Sequence, residues 1–280
     1  MKRRKIALRI GIVIALLAHI GVLLVSSRCL IVYEHLVEFE NMPQHLHGLR
    51  VLQISDLHAN NPHHISLNIW TYIQDLEFDI AVITGDIIMD GRWGNPNRIE
   101  DLNPHIPYLA ELANHTPTFF VEGNHEARQM RQLRPILEDL GIIVLQNEVY
   151  LLKVNGGVLE IVGTRDFSYM MNTPPLFGEM FETFNHPPDF RLVLTHHPQI
   201  FQFIRNAGQM LVLSGHTHGG QLRLPLLPTL FAGGQGFLPT YGDGFYFYET
   251  AILYVSRGIG TTYFPVRFWN RPEIAIFQLR

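Results

Sequence analysis

The stretch that decides the fold is Leu49–His58, which reads LRVLQISDLH. Its first part, Leu49–Ser55, is rich in Val, Leu and Ile, a composition typical of a strand buried on both faces. Asp56 and His58 follow the strand, and alternate residues of an extended segment project to the same side. Both side chains can therefore face one point beyond the strand end. Taken alone, Asp56 could equally be a helix cap and His58 a loop residue.

Four more apolar runs end in a polar cluster. These runs are Ile80–Thr84, Thr118–Val121, Leu192–Thr195 and Met210–Ser214. The clusters that follow them are Gly85-Asp86, Gly123-Asn124-His125-Glu126, His196-His197-Pro198 and Gly215-His216-Thr217-His218. Ligands of open α/β sheets bind beyond the carboxyl ends of the strands. The five clusters therefore predict one shared site.

The donor groups in these clusters are carboxylates, an amide and imidazoles, without a thiolate. Such a set suits Mn, Fe or Zn better than copper. The chain also has fifteen His and a single Cys, and imidazole is the commonest metal ligand in proteins. A lone Gly-Asp pair is usually a turn and a lone His pair can be structural, but turns do not explain five clusters at five strand ends. The sequence predicts a metal centre.

The remaining periodicity predicts an α/β fold with two packed sheets. Apolar residues recur at helical spacing in two stretches, which are Ile65, Ile69, Ile73 and Leu76, and Met130, Leu133, Leu137 and Leu140. Further strand candidates are Val149–Val154, Val158–Gly163, Tyr246–Tyr254 and Ile274–Leu279. These strand candidates are too many for one small sheet. We therefore expect a two-sheet β-sandwich with helices outside, formed by a single domain over residues 36–280.

Composition limits the classes of function. With 47% hydrophobic and 16% charged residues in a chain of 280, the sequence can bury a large core. Its formal net charge of -4 gives no basic field, so a nucleic-acid substrate is not favoured.

Residues 1–30 differ from the rest and predict an N-terminal membrane anchor or an uncleaved signal. The basic cluster Lys2–Lys5 precedes an apolar run, Ile6–Val25, that is broken by Arg9 and His19 and has about the length of a transmembrane helix. The excess of basic residues before the run places the N-terminus in the cytoplasm. The domain is then expected outside the cytoplasmic membrane. A cleavable signal peptide is the alternative interpretation.

These clusters, in this order, resemble the calcineurin-like metallophosphoesterase superfamily, whose motif series is D-x-H, G-D, G-N-H-[DE], a later His and G-H-x-H. The resemblance extends from about Leu49 to the C-terminus. It is closest to the bacterial membrane-associated group, because Gly219-Gly220-Gln221 and Ser256–Thr261 also match. The family implies a sandwich of two mixed sheets flanked by helices, with a dimetal centre at one edge.

The resemblance also implies two ligand sets that share one carboxylate. One metal ion is expected to be bound by Asp56, His58, Asp86 and His218, and the other by Asp86, Asn124, His196 and His216. His196 is chosen over His197 because the family ligand stands two residues before the proline. The expected cofactors are therefore two divalent ions of Mn, Fe or Zn.

The resemblance gives His125 the role of protonating the leaving oxygen, and Glu126 the role of orienting its ring. Arg257 is the candidate for holding a phosphate, although pairing with a local carboxylate is an equal alternative. Asp166 is a candidate for the surroundings of the site.

The expected reaction is hydrolysis of a phosphate ester or phosphoanhydride by metal-activated hydroxide. The anchor favours a lipid-linked substrate, and apolar residues in Leu222–Leu238 and Phe245–Tyr248 form either a wall beside the metals or part of the core. The alternative from another class is a catalytically silent scaffold of the same fold, against which the intact ligands argue.

Overall fold

The computed structural model describes residues 9–14, 16–18, 20–22, 29–59, 69–89, 99–172, 179–180, 182, 184, 188–224, 227–262 and 266–280. Its strands form two six-stranded mixed sheets and one small hairpin. Two mixed sheets agree with the architecture expected from the sequence.

The first sheet has the order β1-β14-β2-β3-β4-β5. Its strands are β1 (Ile31–Val37), β2 (Arg50–Ile54), β3 (Ile80–Ile83), β4 (Thr118–Val121), β5 (Ile143–Leu145) and β14 (Glu273–Leu279). The strands β2 to β5 pair in parallel, as do β1 and β14, while β14 runs antiparallel to β2.

The second sheet has the order β12-β13-β9-β8-β7-β6. Its strands are β6 (Glu148–Val154), β7 (Gly157–Gly163), β8 (Arg191–Leu194), β9 (Met210–Ser214), β12 (Gly244–Tyr248) and β13 (Ala251–Val255). The central strands β7, β8, β9 and β13 are parallel, and the edge strands β6 and β12 are antiparallel to their neighbours. The separate hairpin pairs β10 (Phe231–Ala232) with β11 (Gly236–Phe237).

Short helices connect and cover these sheets. The α-helices are α1 (Trp70–Ile73), α2 (Ile106–His115), α3 (Met130–Asp139), α4 (Phe167–Met171) and α5 (Phe201–Ile204), and the 3-10 helices are Gln44–Leu46, Ile99–His105, Pro198–Ile200 and His218–Gly220. The helix α3 lies where the spacing of Met130, Leu133 and Leu137 predicts it, and these three side chains are buried.

The hydrophobic core has three layers, because alternate side chains of a buried strand point to opposite faces. The two sheets pack on each other through residues that include Val51, Val82, Phe119, Leu192 and Leu211. Side chains on the outer face of the first sheet pack on α2 and α3, among them Leu52, Ile83, Leu109 and Leu133. The outer face of the second sheet packs on α5 through residues such as Val193, Val212, Phe201 and Ile204. Helices therefore flank a two-sheet sandwich.

Two details of the strand prediction need correction. Tyr246–Tyr254 was expected as a single strand, but it is split between β12 and β13, and Glu249 in the turn between them has a φ of 50°. The strands β1, β5, β10 and β11 were not predicted from the sequence. Ile65 of the expected first helix lies outside the described residues, and α1 covers only Trp70–Ile73.

The predicted transmembrane segment is wrong. Within the part of the chain that the structure describes, no helix is both long enough and apolar enough to cross a membrane. The helical residues described near the N-terminus are 9–14, 16–18 and 20–22. The basic cluster Lys2–Lys5 lies outside the described residues.

The contact between the sheets predicts a contrast between two leucines on neighbouring strands. Leu159 of β7 is fully buried between the sheets, whereas Leu151 of β6 is 63% exposed. Leu159→Ala should lower the free energy of unfolding by about 2–5 kcal/mol, because it leaves a cavity. Leu151→Ala should change it by roughly 0.5 kcal/mol or less. Thermal unfolding of the two variants checks this, and equal losses of stability would contradict the assignment of the core.

Candidate metal centre

Loops from both sheets meet at one edge of the sandwich. The parallel strands β2, β3 and β4 of the first sheet and β8 and β9 of the second each end in a candidate ligand loop. The loops lie close together, since a Cβ on Gly215 would stand 2.0 Å from Ser55 Oγ and 2.3 Å from Asp56 Oδ2. Glycine is therefore required at position 215.

Asp86 lies at the middle of the cluster and is only 2% exposed. Its Oδ2 atom is 3.1 Å from His196 Nε2, 3.7 Å from His125 Nε2 and 3.9 Å from His58 Nε2. Its Oδ1 atom accepts a hydrogen bond of 3.0 Å from the backbone N–H of His125. One oxygen thus faces several imidazoles while the other is held by the backbone.

The first predicted ligand set comes together on one side of Asp86. His218 Nε2 lies 3.3 Å from Asp56 Oδ1 and 3.0 Å from His58 Nε2. The potential ligand atoms of Asp56, His58 and His218 all lie within 4.8 Å of one another. Asp56 is fixed by Ser55 Oγ, which donates to its Oδ2 at 2.6 Å, and by the backbone N–H of His216 at 3.1 Å.

The second predicted set lies on the other side. His196 Nδ1 donates to the backbone oxygen of Thr84 at 2.8 Å, so Nε2 is the ring nitrogen that faces Asp86 and is available to a metal ion. That Nε2 atom is 3.2 Å from His216 Nδ1. Among the described residues, the carbonyl Oδ1 of Asn124 has no hydrogen-bond partner and is buried. A buried orphan acceptor beside imidazoles and a carboxylate fits a cation ligand.

Five of the candidate ligands have a left-handed backbone. The φ angles are 51° at Asp56, 50° at His58, 54° at Asp86, 74° at His216 and 50° at His218. This conformation costs roughly 1–2 kcal/mol for each residue with a side chain. Such strain persists where the surrounding structure enforces it, and it is concentrated at functional sites.

The electrostatics of the cluster match metal binding. Burial lowers the pKa of His58 and His216 well below the ordinary value and that of His218 to about 4, so these rings are neutral at pH 7. Burial alone would also lower the pKa of His196, but the Asp86 carboxylate beside it raises that pKa to about 10. Burial would raise the pKa of Asp86, yet the surrounding imidazoles, His196 above all, hold it well below its usual value. A neutral imidazole and an ionised carboxylate are the forms that bind metals.

The Glu126 side chain binds backbone amides of two ligand loops. Its carboxylate accepts backbone N–H groups of Asp86 at 2.8 Å, Gly123 at 2.9 Å and Ile88 at 3.0 Å. These contacts fix the loops after β3 and β4. The physical reason is that three buried amides at this loop junction need an acceptor.

Arg257 was a candidate either for holding a phosphate or for pairing with a carboxylate, and in the structure it pairs with a carboxylate. Its guanidinium pairs with the buried Glu273, with Nε 2.5 Å from Oε2, and lies over the ring of Tyr33 at 5.0 Å. Its donor fork is thus taken by a carboxylate, as in the alternative interpretation. A different arginine, Arg267, lies behind the metal centre. It is fully buried, and its Nη2 is 3.4 Å from His218 Nδ1. The sequence signal that could have identified Arg267 is its position as a single Arg in the aromatic stretch that ends Arg267-Phe268-Trp269.

A second buried pair supports His216 from outside the ligand sets. The rings of His197 and His216 have centroids 3.8 Å apart and an interplanar angle of 34°. His197 Nδ1 is 2.9 Å from Asp166 Oδ2, and each side chain is 2% exposed. Asp166 also accepts the backbone N–H of Tyr169 at 2.7 Å and so caps α4. The sequence singled out Asp166, but it gave no role to His197.

The sequence of the chain is similar to those of known proteins. The family model for calcineurin-like phosphoesterases matches residues 49–220. The chain is 30% identical over 240 residues to the phosphodiesterase YaeI of Escherichia coli, with 82% of each chain covered. It is 29% identical over 235 residues to the uncharacterized metallophosphoesterase YkoQ of Bacillus subtilis, covering 82% of this chain and 83% of that protein.

A further relative has a named substrate. The chain is 27% identical over 284 residues to the UDP-2,3-diacylglucosamine pyrophosphatase LpxG of Chlamydia muridarum, with 84% of each chain covered. The family match alone includes more than half of the 280 residues. The chain therefore belongs to the calcineurin-like phosphoesterase family and is a metallophosphoesterase, a hydrolase of phosphoester bonds that uses divalent metal ions.

Proposed function

We propose that this enzyme hydrolyses a phosphodiester or pyrophosphate bond in a lipid-linked substrate, with two divalent cations held on either side of Asp86. The observation that supports two cations is the position of Asp86 Oδ2, which is 3.1 Å from His196 Nε2 in one ligand set and 3.9 Å from His58 Nε2 in the other. A single carboxylate between two ligand sets is suited to bridging two cations.

The donors of both sets are nitrogen and oxygen atoms, which favours Mn, Fe or Zn. When bound, such cations lower the pKa of a water molecule and neutralise the phosphoryl oxygens. Asp56, Glu126 and the Thr84 carbonyl fix the orientation of the ligands and loops around them. The chain's own contribution to the metal sites is therefore a rigid set of donors.

His125 is the residue that we assign to proton transfer. Its Nε2 atom is 3.7 Å from Asp86 Oδ2, and its ring meets the His58 ring edge-on with centroids 5.0 Å apart. It is 7% exposed, whereas His58 and His196 are fully buried. A ring beside the cluster that still reaches solvent is placed to protonate the leaving oxygen.

The substrate class is supported by the names of two relatives. One is a phosphodiesterase and the other a pyrophosphatase for a diacylated sugar nucleotide. Both reactions break a bond between phosphorus and a bridging oxygen, which the same metal centre can perform.

Removal of Asp86 tests the two-ion centre. Asp86→Asn should reduce metal content from about two ions per chain and abolish hydrolysis of bis-p-nitrophenyl phosphate, since the shared ligand loses its charge. Elemental analysis and a colorimetric assay measure both quantities. The exposed Asp75→Asn, with the same change of charge, is the matched control and should keep both. A metal-free wild type with unchanged hydrolytic activity would refute the proposed function.

His125→Ala should separate binding from turnover. We expect this variant to keep its metal ions and to lose roughly a hundredfold or more in kcat, the usual scale of general acid catalysis. Metal content and kcat are measured on the same preparation. If both ions were lost, His125 would be a ligand and the role in proton transfer would be wrong.

A substitution in the pair of Asp166 and His197 should lower the affinity for one metal ion more than the affinity for the other. Asp166→Asn keeps an N-cap for α4 but removes the carboxylate charge beside His197, and we expect it to weaken binding of the ion at His216 about 10–100-fold. Competition with a chelator measures the two dissociation constants. Equal affinities in wild type and variant would show that the pair does not position His216.

A further inference from the structure

An exposed apolar patch lies in the segment that follows the last metal-ligand motif. Its members in the described part of the chain are Leu222, Leu224, Leu227, Phe231, Phe237 and Leu238, and we call them the apolar patch. Phe237 is 82% exposed and Leu238 is 71% exposed, while the other four are between 46% and 51% exposed. The sequence left open whether Leu222–Leu238 is core or a wall beside the metals. For these six side chains the structure excludes the core.

The patch adjoins the metal centre. The hairpin turn between β10 and β11 approaches His216 so closely that a Cβ on Gly234 would stand 3.0 Å from His216 Nε2. At the base of the hairpin, a Cβ on Gly220 would stand 2.6 Å from the backbone oxygen of Phe231. Gly220 is two residues after the ligand His218. The hairpin therefore turns its glycines toward the second ligand set and presents Phe231 and Phe237 to solvent.

The patch is held in place by internal contacts. The rings of Phe231 and Phe237 meet edge-on with centroids 5.6 Å apart, and Leu238 N donates to the Leu230 backbone oxygen at 2.8 Å. Gln235 is hydrogen-bonded twice to the backbone of Tyr241, at 2.7 and 3.1 Å. The exposed rings thus belong to an ordered hairpin, so their exposure is a built feature of the surface.

The patch has almost no charge. Arg223 is the one charged residue between Leu222 and Leu238 in the sequence. Its Nη1 atom is 2.5 Å from Asp243 Oδ2, so that charge is neutralised within the chain. Exposed apolar side chains that are grouped on one segment, with Phe231 and Phe237 in direct contact, favour a binding surface. Without charges it offers a polar or ionic partner little to recognise, whereas hydrocarbon needs only apolar area.

We propose that the apolar patch binds the hydrocarbon chain of the substrate while the phosphoryl group lies at the metal centre. This rests on the proposed function, and it specifies which surface recognises the lipid part. In this arrangement the hydrocarbon chain of the substrate lies along Phe231, Phe237 and Leu238, on the hairpin whose turn approaches His216. Such binding contributes to kcat/KM in proportion to the apolar area buried, and it requires no contact with the metals.

A series of p-nitrophenyl alkyl phosphates tests the proposal. The metal-loaded enzyme is assayed with methyl, butyl and octyl esters, each below its micelle concentration. We expect kcat/KM to rise about tenfold or more from the methyl to the octyl ester, because added methylene groups are buried on the patch. In the double variant Phe237→Ser, Leu238→Ser the ratio of octyl to methyl kcat/KM should fall about tenfold or more toward unity.

The matched control is Phe247→Ser. Phe247 is 73% exposed and pairs with Ile252 near the start of β13, at the end of the sheet away from the metal centre. This variant should keep the wild-type ratio. Thermal unfolding of both variants checks that they are folded.

Three other results overturn the proposal in distinguishable ways. If wild type hydrolyses all esters with equal kcat/KM, the patch does not bind hydrocarbon, although the proposed hydrolysis stands. If the metal-loaded enzyme hydrolyses none of the esters, the proposed function itself fails. If the double variant keeps the ratio but changes from dimer to monomer in sedimentation, the patch is a contact between copies of this chain.

Discussion

The buried carboxylate of Asp86 is the constraint on which the arrangement of the site depends. An ionised group that is 2% exposed is costly unless opposite charge or hydrogen bonds compensate it. Here the compensation comes from the backbone N–H of His125 and from the imidazoles that face Asp86, and under the proposed function also from two cations. These partners come from loops of both sheets. The sandwich must therefore hold the carboxyl ends of its parallel strands at fixed positions.

The site is strained, and the core of the protein sustains that strain. Left-handed backbone at Asp56, His58, Asp86, His216 and His218 is unfavourable for residues with side chains. The three apolar layers fix the strands that lead into these residues, and the loops bind one another. The Glu126 carboxylate connects the loops after β3 and β4, and the amide of His216 binds Asp56 across the two sheets. Removing a loop contact is thus expected to disturb ligand geometry before it disturbs the fold.

Two arginines and a histidine show how the surroundings of the site differ from its ligands. Arg267 is fully buried behind His218, and Arg257 is held by Glu273 at the start of β14. His197 lies against His216 with Asp166 behind it. None of these contacts follows from a local motif, because each partner comes from a distant segment of the chain. Their positions are set by the order of the strands in the sheets.

The sequence by itself determined the central strands of both sheets, the two-sheet sandwich and the family, because burial on both faces and the polar clusters at strand ends are local patterns. It also named the side chains that gather around Asp86, since parallel strands bring their carboxyl ends to one edge. Only the tertiary structure decided that Arg257 pairs with Glu273, that Glu126 binds backbone amides and that Phe237 is exposed on the hairpin whose turn approaches His216. It likewise corrected the transmembrane prediction, which rested on hydropathy alone. Periodicity tells which side chains are apolar or buried, but the contact that a side chain makes depends on segments far away in sequence.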